Sequence, residues 1–205
     1  ITQLPAPAER FANRSGALRV LVIGGSLGAR ALNETLPAAV AQLASADAVQ
    51  LHHQTGRDDV ETVRAAYAAQ GVDAQVEAFV EDMAAAYAWA DLVVCRSGAL
   101  TVAELAVVGV ASVLVPYPHA TDDHQTGNAR FLADAGAAIL MPQSTLSAAA
   151  LAGLLADFLQ QRDRLAEMAA RARELALPDA ARRVAELCLQ AAGIDTPSLS
   201  QQVSA

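Results

Sequence analysis

Apolar residues along this chain fall into short, nearly unbroken runs, separated by stretches whose apolar positions recur at helical spacing. The runs at residues 18–23, 49–53, 75–79, 92–95, 112–115 and 138–141 read as buried strands. Between them, helical spacing predicts a helix running to about residue 44, then helices over 58–70, 82–90 and 99–108, and one ending near 135–136. Three more helices follow, over 147–159, 162–175 and 179–192. A strand exposed on one face would alternate apolar and polar residues, and these do not. Strands buried on both faces and alternating with helices predict an α/β fold, a parallel sheet covered on both sides. No segment repeats and none is low in complexity.

The two ends differ from this pattern. Residues 1–17 carry the Pro-rich stretch Leu4-Pro5-Ala6-Pro7 and read as a linker. The chain opens on Ile1 rather than Met, so an entry through an interdomain linker of a longer protein is expected. Residues 18–192 form the expected domain, and 193–205 a polar tail expected to be disordered.

Composition narrows the function classes. With 205 residues, 54% of them hydrophobic and 18% charged, one sizeable core can be buried. Aromatics make up only 4%, and the Ala-rich remainder favours close helix packing over a β-sandwich. A net charge of -8 argues against a broad surface for nucleic acid or anionic lipid. It leaves room for a local anion pocket, because backbone amides build one without Lys or Arg. Two distant cysteines, Cys95 and Cys188, form no disulfide framework and suit a reducing compartment. No signal peptide or spanning apolar stretch is evident.

In open parallel sheets, ligands bind beyond the C-terminal ends of the strands. Three loops predicted at that edge are unusual. The first is Gly24-Gly25-Ser26-Leu27-Gly28-Ala29, after the first strand. Its glycines let the backbone approach a ligand closely and turn straight into a helix, whose N-terminus presents free N–H groups. Ser26 adds a hydroxyl, either as a ligand donor or as a plain helix cap. The second is Arg96-Ser97-Gly98-Ala99-Leu100-Thr101, where Ser97 and Gly98 occupy the expected cap and the amides of Ala99, Leu100 and Thr101 point at an anion. Glu104 lies one turn beyond Thr101 on the same helix face. A carboxylate there can accept two hydrogen bonds, as a ribose diol requires. Either loop alone could be only a capped helix; two on one sheet edge point to a diphosphate. The third spans residues 116–125 and continues through Gln125-Thr126-Gly127-Asn128-Ala129. A loop this rich in donors and acceptors is costly to order unless it binds something, and its chemistry suits sugar hydroxyls.

Competing readings of the same residues are weaker. Gly24-x-Ser26-x-Gly28 matches a hydrolase nucleophile elbow, with Asp91 or Asp122 and His119 or His124 as partners. That strand is the first of its sheet, however, and a second phosphate-type loop follows. The dinucleotide fingerprint is absent, and His53-Gln54 stands where the ribose acid would be, which disfavours NAD. His119, Asp122, Asp123 and His124 do not have a recognised metal-ligand spacing. Cys95 reads as a core residue, His52 and His53 as structural or exposed, and Tyr87 and Trp89 as packing the short helix against the sheet.

Together these segments resemble the C-terminal half of the MurG-type N-acetylglucosaminyltransferases of peptidoglycan synthesis. The resemblance runs in order through residues 24–30, 79–87, 95–101 and 124–129, and covers about 18–190. It implies a Rossmann-like doubly wound sheet, one domain of a two-domain (GT-B type) glycosyltransferase. It implies UDP-N-acetylglucosamine as donor. Ser26, Gly25, Gly28, Ala99, Leu100 and Thr101 would face the diphosphate, and Glu104 the ribose. Val80, through its backbone, and Phe79 would meet uracil, and His124, Gln125 and Asn128 the sugar. Many such enzymes carry Gln where His124 stands. No cofactor or metal is implied. The acceptor lipid I, the catalytic base and the membrane contact would belong to an N-terminal acceptor domain absent from this chain. The whole enzyme is expected at the cytoplasmic face of the inner membrane, and the fragment is expected to bind donor without turning over. A UDP-N-acetylglucosamine 2-epimerase, a hydrolase using Ser26, or a non-catalytic UDP-binding domain are the alternatives.

Overall fold

A computed structural model of the chain describes residues 1–12, 14–25 and 28–193. The six strands are β1 (Leu18–Ile23), β2 (Val49–Gln54), β3 (Ala74–Glu77), β4 (Leu92–Cys95), β5 (Ala111–Leu114) and β6 (Ala138–Leu140). They form one parallel sheet in the order β3-β2-β1-β4-β5-β6. The chain winds outward from β1 to β3, then returns to the other side of β1 at β4. Loops leaving β1 and β4 therefore diverge to opposite faces and open a crevice between them.

Alternate residues of β1 serve different cores, which explains its unbroken apolar run. Leu18, Val20 and Val22 pack with helices α2 (Arg30–Val40), α3 (Val60–Ala69) and α7 (Ala148–Gln160), through Leu36, Tyr67 and Phe158 among others. Leu21 and Ile23 pack on the other face with α4 (Met83–Trp89), α5 (Ala99–Val108) and α6 (His124–Ala133), through Tyr87, Leu105 and Leu132. Helix α8 (Arg162–Glu174) supplies Leu165 and Met168 to the first layer and Ala172 to the second. Helix α9 (Ala180–Ala191) buries no residue.

Most expected elements are present, with ends shifted by a residue or two. The exceptions have physical reasons. Pairing of β3 with β2 stops at Gln54↔Glu77, so Phe79 and Val80 lie in the following turn rather than in a strand. Helix α2 ends at Val40, four residues early. Residues 1–17, expected to be a plain linker, contain helix α1 (Pro7–Phe11), started by a proline at its first turn. Arg10 bonds to Val108 O at 3.0 Å and Arg14 to Asp91 Oδ1 at 2.9 Å; Arg14 also reaches the carbonyls of Ala88 and Trp89. These guanidiniums meet the C-terminal ends of α5 and α4, where a positive charge is favoured. The expected tail falls almost wholly outside the described residues. Among those described, no helix is long and apolar enough to cross a membrane.

Candidate functional site

A cavity of about 650 Å³ opens at the C-terminal edge of the sheet, over the β1–β4 crevice. Gly24, Gly25 and Gly28 line it after β1, Arg96, Gly98 and Thr101 after β4, and Tyr117 and Gln125 after β5. All three loops singled out from the sequence thus converge on one space.

The turn after β1 depends on missing side chains. Gly28 has φ +74°, and a Cβ there would lie 2.0 Å from Thr55 O. A Cβ on Gly24 would lie 2.6 Å from Ala29 N. The backbone can pass there only without them. Helix α2 then starts with Ala29 as its cap and no side-chain cap bond, so its first N–H groups are left for a ligand. Ser26 lies outside the described residues.

Helix α5 begins in the same way. Gly98 is its cap and offers no side chain. Ser97, expected to share the cap, is instead buried, with Oγ donating to Gln125 O at 2.8 Å. The N–H groups of Ala99, Leu100 and Thr101 have no side-chain cap; Thr101 lines the cavity, and Leu100 is exposed but not on its wall. One turn on, Glu104 accepts a 3.0 Å hydrogen bond from the Tyr87 hydroxyl. Tyr87 is buried, and burial raises its pKa above the usual range, so it stays a donor. Glu104 is therefore braced against α4, one turn below the Thr101 that lines the cavity, and is not itself part of the cavity wall.

The third loop is arranged differently from expectation. Gln125 lines the cavity, with Oε1 accepting from Tyr117 N at 3.0 Å. Asn128 spends its amide on Ser97 O at 3.0 Å, and the His124 Nδ1 donates to Thr121 O at 2.7 Å. Neither borders the cavity; Asn128 ties α6 to the start of α5. Phe79, half exposed, and Val80, buried, line a separate groove with Asp82 and Trp89.

Arg96 has no role assigned from the sequence, yet it brings a guanidinium to the cavity wall, where Arg30, paired with Glu34, brings another. Arg96 lies over the Tyr117 ring at 5.5 Å and donates to Val115 O and Pro116 O, both at 3.1 Å, and to Gln143 Oε1 at 2.7 Å. Burial lowers its pKa, but an Arg keeps its charge. Its place between a strand end and Ser97-Gly98 was the signal. Gln143 and Asp59, also on the wall, carry none in the local sequence.

The two acids named for a hydrolase site lie apart from one another. Asp91 lies at the opposite edge of the sheet, at the start of β4, held by Arg14 and by Arg19 N at 3.0 Å. Asp122 is exposed at φ 50°, on the loop's surface. Among the described residues no three His, Cys, Asp or Glu group to hold a metal ion, including those of the third loop.

His53 is wholly buried, and burial pushes its pKa down from 6.5 to about 3. Between those values the unfolded chain binds a proton that the folded chain refuses, so stability rises with pH. The contribution is complete above about 6.5 and is lost as pH falls toward about 3. Denaturant unfolding at pH 7 and pH 5 should show an acid-side loss approaching ~1.4 kcal/mol per pH unit from this one group. That loss should flatten in His53→Gln; equal slopes in both proteins would assign the effect elsewhere.

Residues 19–184 match the glycosyltransferase family 28 C-terminal domain. The chain belongs to this family. A UDP-N-acetylglucosamine–N-acetylmuramyl-(pentapeptide) pyrophosphoryl-undecaprenol N-acetylglucosamine transferase of Dechloromonas aromatica (strain RCB) is 58% identical over 192 residues, covering 94% of this chain and 54% of that protein. A transferase of the same name from Azoarcus sp. (strain BH72) is 57% identical over 188 residues, covering 92% and 52%. The crystal structure of Acinetobacter baumannii MurG aligns with a TM-score of 0.85 at 45% identity, over 92% of this chain and 54% of that one. A UDP-GlcNAc 2-epimerase from Neisseria meningitidis, at 10% identity and a TM-score of 0.56, shares the fold alone. The family 28 domain described here spans about half the length of the curated relatives it matches.

Proposed function

We propose that this family 28 domain binds UDP-N-acetylglucosamine and, joined to an acceptor domain, transfers the sugar to the 4-hydroxyl of the muramyl residue of lipid I, with inversion, giving lipid II. The observation that carries the reading is the pair of uncapped helix N-termini, α2 and α5, facing one cavity at the switch point. The names of the two transferases described above supply the donor sugar and the undecaprenol-linked acceptor.

The chemistry suits such a cavity. When the glycosidic C–O bond breaks, negative charge grows on the departing diphosphate. Helix N-termini stabilise it without a metal, each contributing ~0.3–1 kcal/mol when exposed and up to ~2 when partly buried. In this reading Gly25, Ser26 and Gly28 cradle one phosphate and Ala99, Leu100 and Thr101 the other. The Arg96 charge lies across the cavity. Glu104, braced by Tyr87, takes the ribose hydroxyls. The Val80 backbone and Phe79 take uracil. Gln125 meets the sugar directly, and His124 and Asn128 shape the loop that carries it. The base that deprotonates the acceptor hydroxyl comes from the other half, as does contact with the cytoplasmic face of the inner membrane, where a polyprenyl acceptor must stay.

Transfer of labelled N-acetylglucosamine to lipid I tests this. The full-length protein containing this domain should form lipid II, and the 205-residue chain alone should form none. Absence of transfer by the full-length protein contradicts the activity; lipid II from the isolated chain contradicts the division of labour.

A further inference from the structure

Beneath the cavity floor runs a line of buried polar side chains that the proposed reaction does not use. Asn33, in the first turns of α2, is 4% exposed; His53, at the end of β2, is 0%; Tyr67, on α3, is 1%. Asn33 Nδ2 donates to Thr55 O at 3.0 Å and to Asp59 Oδ2 at 2.7 Å. Asn33 Oδ1 meets His53 Nε2 at 3.1 Å, and His53 Nδ1 meets the Tyr67 hydroxyl at 3.0 Å.

The direction of every bond follows from donor and acceptor chemistry. Thr55 O and the Asp59 carboxylate only accept, so the Asn33 amide nitrogen must face them. Its oxygen then faces His53, whose Nε2 must carry the ring proton. Nδ1 is left as an acceptor, and Tyr67 donates to it. The ring stays neutral in this setting, so the order of donors does not reverse near neutral pH. Each member has one fully satisfied arrangement and no alternative, which makes the line rigid.

Core formation does not explain the polar choice. Asn33 lies between Leu32 and Leu36 on a buried stretch of α2, where an apolar residue would fill space without desolvation cost. What the amide does is join three pieces of backbone. It holds the Thr55 carbonyl, the same atom against which Gly28 packs with no room for a Cβ. It holds Asp59, the cap position of α3 and part of the cavity wall. It is itself part of α2, whose N-terminus faces the cavity.

We propose that Asn33, fixed in orientation by His53 and Tyr67, is a positioning residue for the diphosphate-binding turn. The inference rests on the donor reading above. It assigns to the line the placement of Gly28 and the start of α2, and no contact with the ligand.

The test compares UDP with uridine, which lacks the phosphates, by calorimetric titration of the full-length protein and its Asn33→Ala variant. Donor and acceptor KM values are measured alongside. A displaced phosphate turn should weaken UDP about tenfold and raise the donor KM to match, leaving uridine affinity and the acceptor KM within about twofold. Undiminished UDP binding by Asn33→Ala overturns the inference and leaves the donor reading intact. Equal weakening of UDP and uridine also overturns it, because a general loss of structure would do that. No UDP binding by the unsubstituted protein takes down both. Should Asn33→Ala fail to fold, Tyr67→Phe decides, since it removes one hydroxyl and keeps the shape. It should weaken UDP about two- to threefold with uridine unchanged; an unchanged UDP affinity overturns the inference.

Discussion

Replacing Gly28 with Ala should weaken donor binding ~100-fold and lower the melting temperature by roughly 6–12 °C, taking about 3 kcal/mol at roughly 2–4 °C per kcal/mol for a chain of this size. Two costs combine. The residue sits at φ +74°, where a side chain is strained. The added Cβ would also lie 2.0 Å from Thr55 O and 3.0 Å from Thr55 C, atoms of backbone that cannot swing aside. The turn must move by about an ångström, enough to misplace the phosphate-facing amides by ~100-fold in effect. Gly25→Ala separates the costs. Gly25 has φ +79° but nothing among the described residues within 4 Å of the added atom, so the strain remains, about 1 kcal/mol. Thermal melts of the two variants read the difference directly. Equal losses would mean that close packing of the turn on Thr55 does not matter.

Glu104→Gln should weaken UDP and UDP-N-acetylglucosamine by about tenfold or more while leaving the melting temperature unchanged. A hydrogen bond to a charged acceptor contributes ~1.5–3 kcal/mol, and a ribose diol makes two. Gln keeps the shape and still accepts from the Tyr87 hydroxyl, which in Glu104→Ala would be left buried without the partner it has at 3.0 Å. The amide variant therefore isolates the carboxylate's charge from the packing of α4 on α5. Calorimetric titration of both proteins checks it. Unchanged affinity in a folded Glu104→Gln would remove Glu104 from the ribose site.

The parts of this site that were legible in the sequence are those set by local backbone chemistry. Gly24, Gly25 and Gly28 after an unbroken apolar run marked a turn into a helix, and the structure places them on the cavity. Ala99, Leu100 and Thr101 could be read as amides at a helix start because Gly98 precedes them. What depends on distant partners was not legible. Ser97 looked like a cap because of its position, but Gln125 O, 28 residues on, claims its hydroxyl. Asn128 looked like a sugar ligand because of its motif, but Ser97 O takes its amide. Tyr87 read as packing alone, and its hydroxyl braces Glu104 across two helices. Helix α1 was hidden because five residues give too little periodicity, and its anchors are Arg10 and Arg14 on carbonyls far along the chain. His53 read as structural or exposed; only the fold shows it wholly enclosed, with both ring nitrogens bonded.

The central claim is that this domain recognises a uridine diphosphate sugar. Calorimetric titration of the 205-residue chain with UDP-N-acetylglucosamine and with UDP, with NAD as control, tests it most directly. The account predicts saturable one-to-one binding of both uridine ligands and none of NAD. Binding of NAD, or of neither uridine ligand under conditions where the chain is folded, would contradict it.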